Sequence, residues 1–217
     1  MTHKALIYTG GYNHPFSESS RALAGVLEAR GMTCSLETDL DLTLAGLTHV
    51  DLLAVNALRW TMTQDEKYAA DRADWAFVAQ TDQVRTLERW VHAGGRLLAM
   101  HTAVLCFDNQ PLWIALLGGG WRWGRSHHPP LGPLHIDVVG AEGFNLIDEA
   151  YHHLDAGADT EVLATCTMDT GTQTLAWVRS HGRGRVAVNS LGHNARSIVT
   201  PGHRALIERM LDRLNLA

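Results

Sequence analysis

Residues 94–103 read Gly-Gly-Arg-Leu-Leu-Ala-Met-His-Thr-Ala. Gly94-Gly95 stop a helix that the preceding residues predict. Thr81 to Ala93 place Val84, Leu87, Trp90 and Val91 on one face at helical spacing. Arg96 to Met100 then make a short apolar run of the kind that forms a buried parallel strand. Beyond it the chain must turn sharply. A nucleophile elbow needs small residues two before and two after its central residue, because the turn is strained and crowded. Ala99 and Ala103 meet that need around His101. The central residue is a histidine where such elbows carry serine or cysteine. A core histidine hydrogen-bonded beneath a loop is the alternative reading of His101.

The same grammar runs outward in both directions. Lys4 to Tyr8 reads as a strand ending in Thr9-Gly10-Gly11. Ser17 to Arg30 reads as a helix stopped by Gly31, and Met32 to Glu37 and Val50 to Val55 as further strands. Leu58 to Gln80, rich in Trp, Asp and Ala, reads as a loop with a short helix. Leu112 to Leu117 makes one or two helical turns before Gly118-Gly119-Gly120. Strand-like runs follow at Leu134 to Val139, Glu161 to Cys166, Thr174 to Val178 and Arg185 to Asn189, and His203 to Leu214 closes the chain as a helix. Strands alternating with helices predict an α/β protein with a mostly parallel sheet and helices on both faces. The close spacing of the later strands predicts some antiparallel pairing. No repeat, low-complexity segment or linker divides the sequence, so a single domain over residues 1–217 is expected.

Composition narrows the function. The 217 residues include 46% hydrophobic and 19% charged side chains, the balance of a globular protein with a substantial core. No apolar run reaches the roughly 18 residues of a membrane span, and Met1 to Tyr8 lacks the pattern of a signal peptide. The net charge is −5 without a basic cluster, which argues against a nucleic-acid partner. Cys34, Cys106 and Cys166 are odd in number and widely spaced. They fit buried free thiols in a reducing cytoplasm better than a disulfide framework.

Histidine stands out at 13 residues, several beside glycine and proline. Ligands of open parallel sheets gather beyond the carboxyl ends of the strands. Asn13 and His14 follow the first strand, and His101 follows the strand at Arg96 to Met100. Trp121 and Trp123 come after the glycine run and are suited to stacking on a sugar face. His127 and His128 are adjacent, so only one of them can face a given centre. Glu149 lies just before Tyr151-His152-His153, and Asn189 and His193 follow the strand at Arg185 to Asn189. Exposed loop histidines and a solvated acidic face are the alternatives. No G-x-G-x-x-G sits between a strand and a helix, so no dinucleotide fingerprint is present.

Taken in order, GGYNHPF, GGRLLAMHTA, WIALLGGGW, HHPP, DEAY and NSLGHN resemble the trehalose-utilization (ThuA-like) family from about Leu6 to the final helix. The resemblance implies the class I glutamine-amidotransferase-like fold, a flavodoxin-like arrangement. His101 then corresponds to the elbow cysteine of the amidotransferases and His193 to their partner histidine. Cys106, five residues past the elbow, is a poor substitute nucleophile, so glutamine hydrolysis is not expected. The family is linked to catabolism of disaccharides such as trehalose, through 3-keto sugar intermediates. Members often carry a His-Pro-Ile segment and a longer path to the acidic motif, whereas here Val139 to Gly143 reaches Phe144 directly.

These readings converge on a sugar or keto-sugar enzyme, an isomerase, lyase or hydrolase. His101 and His193 would serve as acid and base with Glu149 orienting them. His14, Asn13, Trp121, His127 or His128, and Asn189 would bind a small carbohydrate. His101, His193 and Glu149 also form a ligand set for zinc or another divalent transition metal. A non-catalytic carbohydrate-binding or regulatory module is the alternative, in which the tryptophans matter more than the histidines. A homo-oligomer is compatible with all of these.

Overall fold

The computed structural model describes residues 2–216. Nine strands, β1 (Lys4–Gly11), β2 (Thr33–Glu37), β3 (Leu52–Leu58), β4 (Arg96–Met100), β5 (Gly132–Val138), β6 (Phe144–Asp148), β7 (Glu161–Met168), β8 (Gly171–His181) and β9 (Gly184–Asn189), form one sheet. Their order is β2-β1-β3-β4-β9-β8-β7-β5-β6. The helices are α1 (Phe16–Ala29), α2 (Leu40–Gly46), α3 (Arg72–Trp75), α4 (Thr81–His92), α5 (Pro111–Leu117), α6 (Ala195–Val199) and α7 (Pro201–Arg213).

The sheet is mixed, which corrects the expectation of a mostly parallel one. β2, β1, β3, β4 and β9 run parallel. β9–β8, β8–β7, β7–β5 and β5–β6 pair antiparallel. The reason is connection length. A parallel neighbour needs a crossover of about a dozen residues or more, whereas an antiparallel one needs only a hairpin. Two residues separate β7 from β8, and two separate β8 from β9.

The inner parallel strands β1, β3, β4 and β9 feed two cores, because successive side chains point to opposite faces. Ala5, Ile7, Leu52, Ala54, Leu98, Met100 and Ala187 pack with Leu23 and Leu27 of α1, Ile198 of α6 and Leu206, Ile207 and Met210 of α7. Leu6, Tyr8, Leu53, Val55, Leu97, Ala99, Val186 and Val188 pack with Leu40 of α2, Val84, Leu87 and Val91 of α4 and Trp113 of α5. Helices therefore cover both faces. No helix of the described residues is long and apolar enough to cross a membrane. Cys106 and Cys166 are buried, Cys34 is half-buried, and all three are free.

Three elements escape the sequence reading. α2 is short and begins where the Asp39 carboxylate accepts from Leu42 N–H. α6 is capped in the same way by the Asn194 side chain. β6 is a short edge strand whose alternation, Phe-Asn-Leu-Ile-Asp, is too brief to register. It ends one residue before Glu149 and so sets the position of that side chain.

β1 must end close against β3. Gly11 has φ +124°, and a Cβ there would lie 2.1 Å from the Leu58 carbonyl oxygen. Gly11→Ala is therefore expected to lower stability by at least the roughly 1–3 kcal/mol of a disfavoured backbone conformation. Urea denaturation checks this; an unchanged midpoint would show that the turn relaxes freely.

Candidate functional site

The site begins at the elbow. His101 leaves β4 with φ 47°, a left-handed conformation uncommon for a residue with a Cβ. Residues His101–Leu105 then coil into a 3-10 turn. Ala99 and Ala103 are fully buried beside it, as the crowding of such a turn requires. His101 itself is 1% exposed. Its Nδ1 lies 2.9 Å from the Ser190 carbonyl just beyond β9. A carbonyl only accepts, so Nδ1 carries the proton and Nε2 faces the pocket as a lone pair in the neutral ring.

His14 is held by the same device. Gly10, Gly11 and Asn13 all have positive φ, which folds the loop after β1 back on itself. His14 Nδ1 donates to the Tyr12 carbonyl at 3.1 Å. Its Nε2 is buried without a partner. Burial, with help from the neighbouring His101 ring, lowers the His14 pKa to about 4.

Glu149 and His193 come from loops tied together by one buried carboxylate. Asp148, at the end of β6, is 0% exposed. It accepts from Glu149 N–H at 2.8 Å, Gly192 N–H at 2.8 Å and His193 N–H at 3.3 Å, and from the Ser197 hydroxyl. β6 lies four places from β9 in the sheet, yet this carboxylate joins the segments that follow both.

The side chains converge as a result. His14, His101, Glu149 and His193 each offer one ligand atom, all within 4.8 Å of one another. Glu149 Oε2 lies 3.5 Å from His101 Nε2, 3.4 Å from His193 Nδ1 and 3.7 Å from His128 Nδ1. The contact with His193 is close but not a made hydrogen bond, since Glu149 Oε2 and His193 Nδ1 are both buried without a partner. Burial alone would raise the Glu149 pKa. The His101 and His193 rings, when protonated, outweigh it and hold the carboxyl well below the usual range. Contact with Glu149 raises the pKa of His193.

Around this cluster is a pocket of about 200 Å³. Asn13, Trp121 and His128 line it, as do Tyr12, Trp60, Tyr68 and Tyr151, which the sequence reading did not single out. Tyr151 O–H donates to His101 Nε2 at 3.2 Å. Trp113 and Trp177 satisfy their indole N–H groups on the carbonyls of Ala103 and Leu117. Those of Trp60 and Trp121 are buried with no partner.

Two expected ligand-binding residues lie elsewhere. Asn189 is fully buried; its amide donates to His203 Nε2 at 2.9 Å and its carbonyl accepts from Leu191 N–H. It braces the β9 loop from below. His127 forms an antiparallel bridge with His152 and turns away from the pocket, while its neighbour His128 turns inward. Trp123 packs on Trp121 with ring centroids 5.9 Å apart. Cys106 is buried outside the cluster. Its thiol donates to the Ala57 carbonyl, and burial pushes its pKa up to about 12.

A mixed α/β sheet with imidazoles and a carboxylate gathered beyond its strand ends defines the general class. The chain belongs to the ThuA family, described as trehalose utilisation, whose model matches residues 4–211. Solved structures share the fold. A ThuA-like protein from Parabacteroides merdae superposes with a TM-score of 0.76 at 16% identity, covering 99% of this chain and 90% of that one. A ThuA-like protein from Bacteroides uniformis gives 0.69 at 15% identity, with 95% and 88% covered. A cold-adapted β-galactosidase from Rahnella sp. R3 gives 0.64 at 14% identity, with all of this chain matching 32% of that one. No curated protein matches the chain.

The bracing role of Asp148 is open to a direct test. Asp148→Asn replaces an acceptor with a donor facing N–H groups. It should cost about 1–3 kcal/mol for the buried partner left unpaired, read by urea denaturation; a wild-type midpoint would contradict the bracing role. A second prediction concerns pH in chelator-treated protein. The depressed His14 pKa contributes stability above its unfolded value near 6.5, and this is lost as pH falls from there towards about 4. In that window the unfolded chain binds a proton that the folded protein excludes. His193 has the opposite sign: its contribution is present below pH 6.5 and lost as pH rises through its elevated folded pKa. Between pH 6.5 and 4, wild-type stability should therefore fall more steeply than that of His14→Asn. Equal slopes would show that His14 titrates freely.

Proposed function

We infer that this chain, as one ThuA-like domain over residues 1–217 with the class I glutamine-amidotransferase-like arrangement, is an enzyme of carbohydrate catabolism. It acts on a sugar or keto-sugar derivative, with a divalent transition ion held by His14, His101, His193 and Glu149. The observation that carries this reading is the convergence of three imidazoles and a carboxylate within 4.8 Å, with three of their polar atoms buried and unpartnered.

The donor set fits such an ion. Nitrogen ligands with one carboxylate suit zinc and its neighbours and are a poor match for magnesium or calcium. His101 and His14 each spend Nδ1 on a backbone carbonyl, the outer-shell contact that orients metal-ligating histidines. The low His14 pKa keeps that ring neutral, and Glu149 stays ionised. The Tyr151 hydroxyl contact on His101 Nε2, at 3.2 Å, is long enough to give way. When bound, a divalent ion supplies Lewis-acid polarisation of a carbonyl or hydroxyl oxygen.

The remaining residues handle the substrate. Tyr12, Trp60, Tyr68 and Trp121 offer apolar walls to the faces of a sugar ring. The unpartnered indole N–H groups of Trp60 and Trp121 are donors for its oxygens. His128, exposed at the mouth of the pocket, is placed to take up or release a proton. Beside a keto group this suits abstraction of an acidic C–H proton, hence isomerisation or elimination. His101 at the elbow and the buried, hydrogen-bonded Cys106 thiol argue against glutamine hydrolysis.

The test is metal content together with turnover in a keto-sugar screen. Untagged wild-type protein should hold a near-stoichiometric pocket ion. His14→Ala and His193→Ala should weaken its binding by about tenfold or more, and chelation should stop turnover until zinc is restored. Full turnover by metal-stripped protein would overturn the metal assignment. Unchanged turnover in His101→Ala would overturn the catalytic one.

A further inference from the structure

We propose a second transition-metal site, built from His127 and His152 on the outer side of the pocket wall. The two residues face each other in an antiparallel bridge, with His152 N–H donating to the His127 carbonyl at 2.8 Å. Side chains alternate across such a ribbon. His128 and Tyr151 therefore turn to the pocket together, with ring centroids 5.2 Å apart. His127 and His152 turn the other way, with centroids 4.5 Å apart and planes at 35°.

Each ring presents Nε2. His127 Nδ1 lies 3.2 Å from the Arg125 carbonyl, and His152 Nδ1 lies 3.0 Å from the Thr170 hydroxyl. The Arg125 carbonyl only accepts, so it holds the Nδ1 proton of His127 as outer-shell partners of metal-ligating histidines do, and the Thr170 hydroxyl can accept from His152 Nδ1 in the same way. His152 is 3% exposed and its Nε2 is buried without a partner. A nitrogen in that state lacks the hydrogen bond that buried polar atoms normally make. Burial, with the neighbouring His127 and His153 rings, lowers the His152 pKa.

The rings open onto a hollow of about 290 Å³ that Met168, Asp169 and Thr170 also line. His153 is close by, its ring centroid 5.6 Å from that of His127. Two imidazoles beside an open, partly polar hollow suit Zn²⁺, Ni²⁺ or Cu²⁺, with water completing the shell. Another close histidine pair outside the pocket is different. His92 and His181 are 5.7 Å apart, and His181 Nε2 is already bonded to Glu88 Oε1 at 2.6 Å. An ion across His127 and His152 would clamp the ribbon whose inner side carries His128 and Tyr151.

The test is a competition titration of zinc with a chromophoric chelator, using the untagged full chain. The double variant His14→Ala/His193→Ala should keep one tight equivalent. His127→Ala/His152→Ala should lose one relative to wild type, and the quadruple variant should keep none. His127→Asn, an exposed change that spares the fold, should weaken the outer site alone by about tenfold or more. Equal stoichiometry and affinity in wild type, His127→Asn and His127→Ala/His152→Ala, with unchanged circular dichroism, would overturn the proposal. Failure of the pocket reading looks different: wild type and His14→Ala/His193→Ala would then bind the same number of ions.

Discussion

The buried carboxylate of Asp148 is the contact on which the site depends. It receives three backbone N–H groups and a hydroxyl, so it is satisfied although it is removed from water. A buried charge is tolerable only on such terms. The arrangement holds Glu149, the next residue, against His193, which follows the Leu191-Gly192 segment of the β9 loop. Below it, His203 links Asn189 and Ser197 into the same network. The network is sealed from the pocket: Asn189, Ser197 and His203 are all buried. It braces the loops while the groups above it face the pocket.

The second constraint is the left-handed turn at His101. Such a backbone conformation costs about 1–3 kcal/mol and persists where its surroundings over-determine it. Here β4 lies between β3 and β9, small residues flank the turn, and the Ser190 carbonyl holds the ring. The strain places one imidazole at the centre of the site with a defined tautomer. His14 and His193 complete a triangle with it, their ring centroids each 5.4 Å from that of His101 and 5.0 Å from one another. A lone carboxylate among these rings carries negative charge without a hydrogen bond on Oε2. That leaves the polarity of the cluster balanced for a cation.

Much of this was legible in the sequence. Short apolar runs with glycine stops located β1, β3, β4 and β9, and small residues around His101 marked the elbow. Strand ends then pointed to His14, His101 and His193, while Glu149 stood out only through the acidic motif before Tyr151. Other features depend on spacing in three dimensions. Asn189 looked like a pocket residue because it ends a strand, but its side chain turns under the loop to His203. His127 and His128 could be separated only once the bridge to His152 set which side each faces. Trp60 and Tyr68 lie in a segment with no periodicity, and nothing local distinguishes them from packing aromatics. The antiparallel half of the sheet was foreshadowed by short connections, while the edge position of β6 was not.

The central claim is that the four-residue cluster holds a metal ion. Anomalous diffraction from a crystal of the untagged protein, collected on both sides of the zinc edge, tests it most directly. The account predicts an anomalous peak at the centre of the cluster, with His14, His101, His193 and Glu149 at about 2.0–2.2 Å. The contrary result would be zinc-soaked crystals with no anomalous density there and the Tyr151 hydroxyl still bonded to His101.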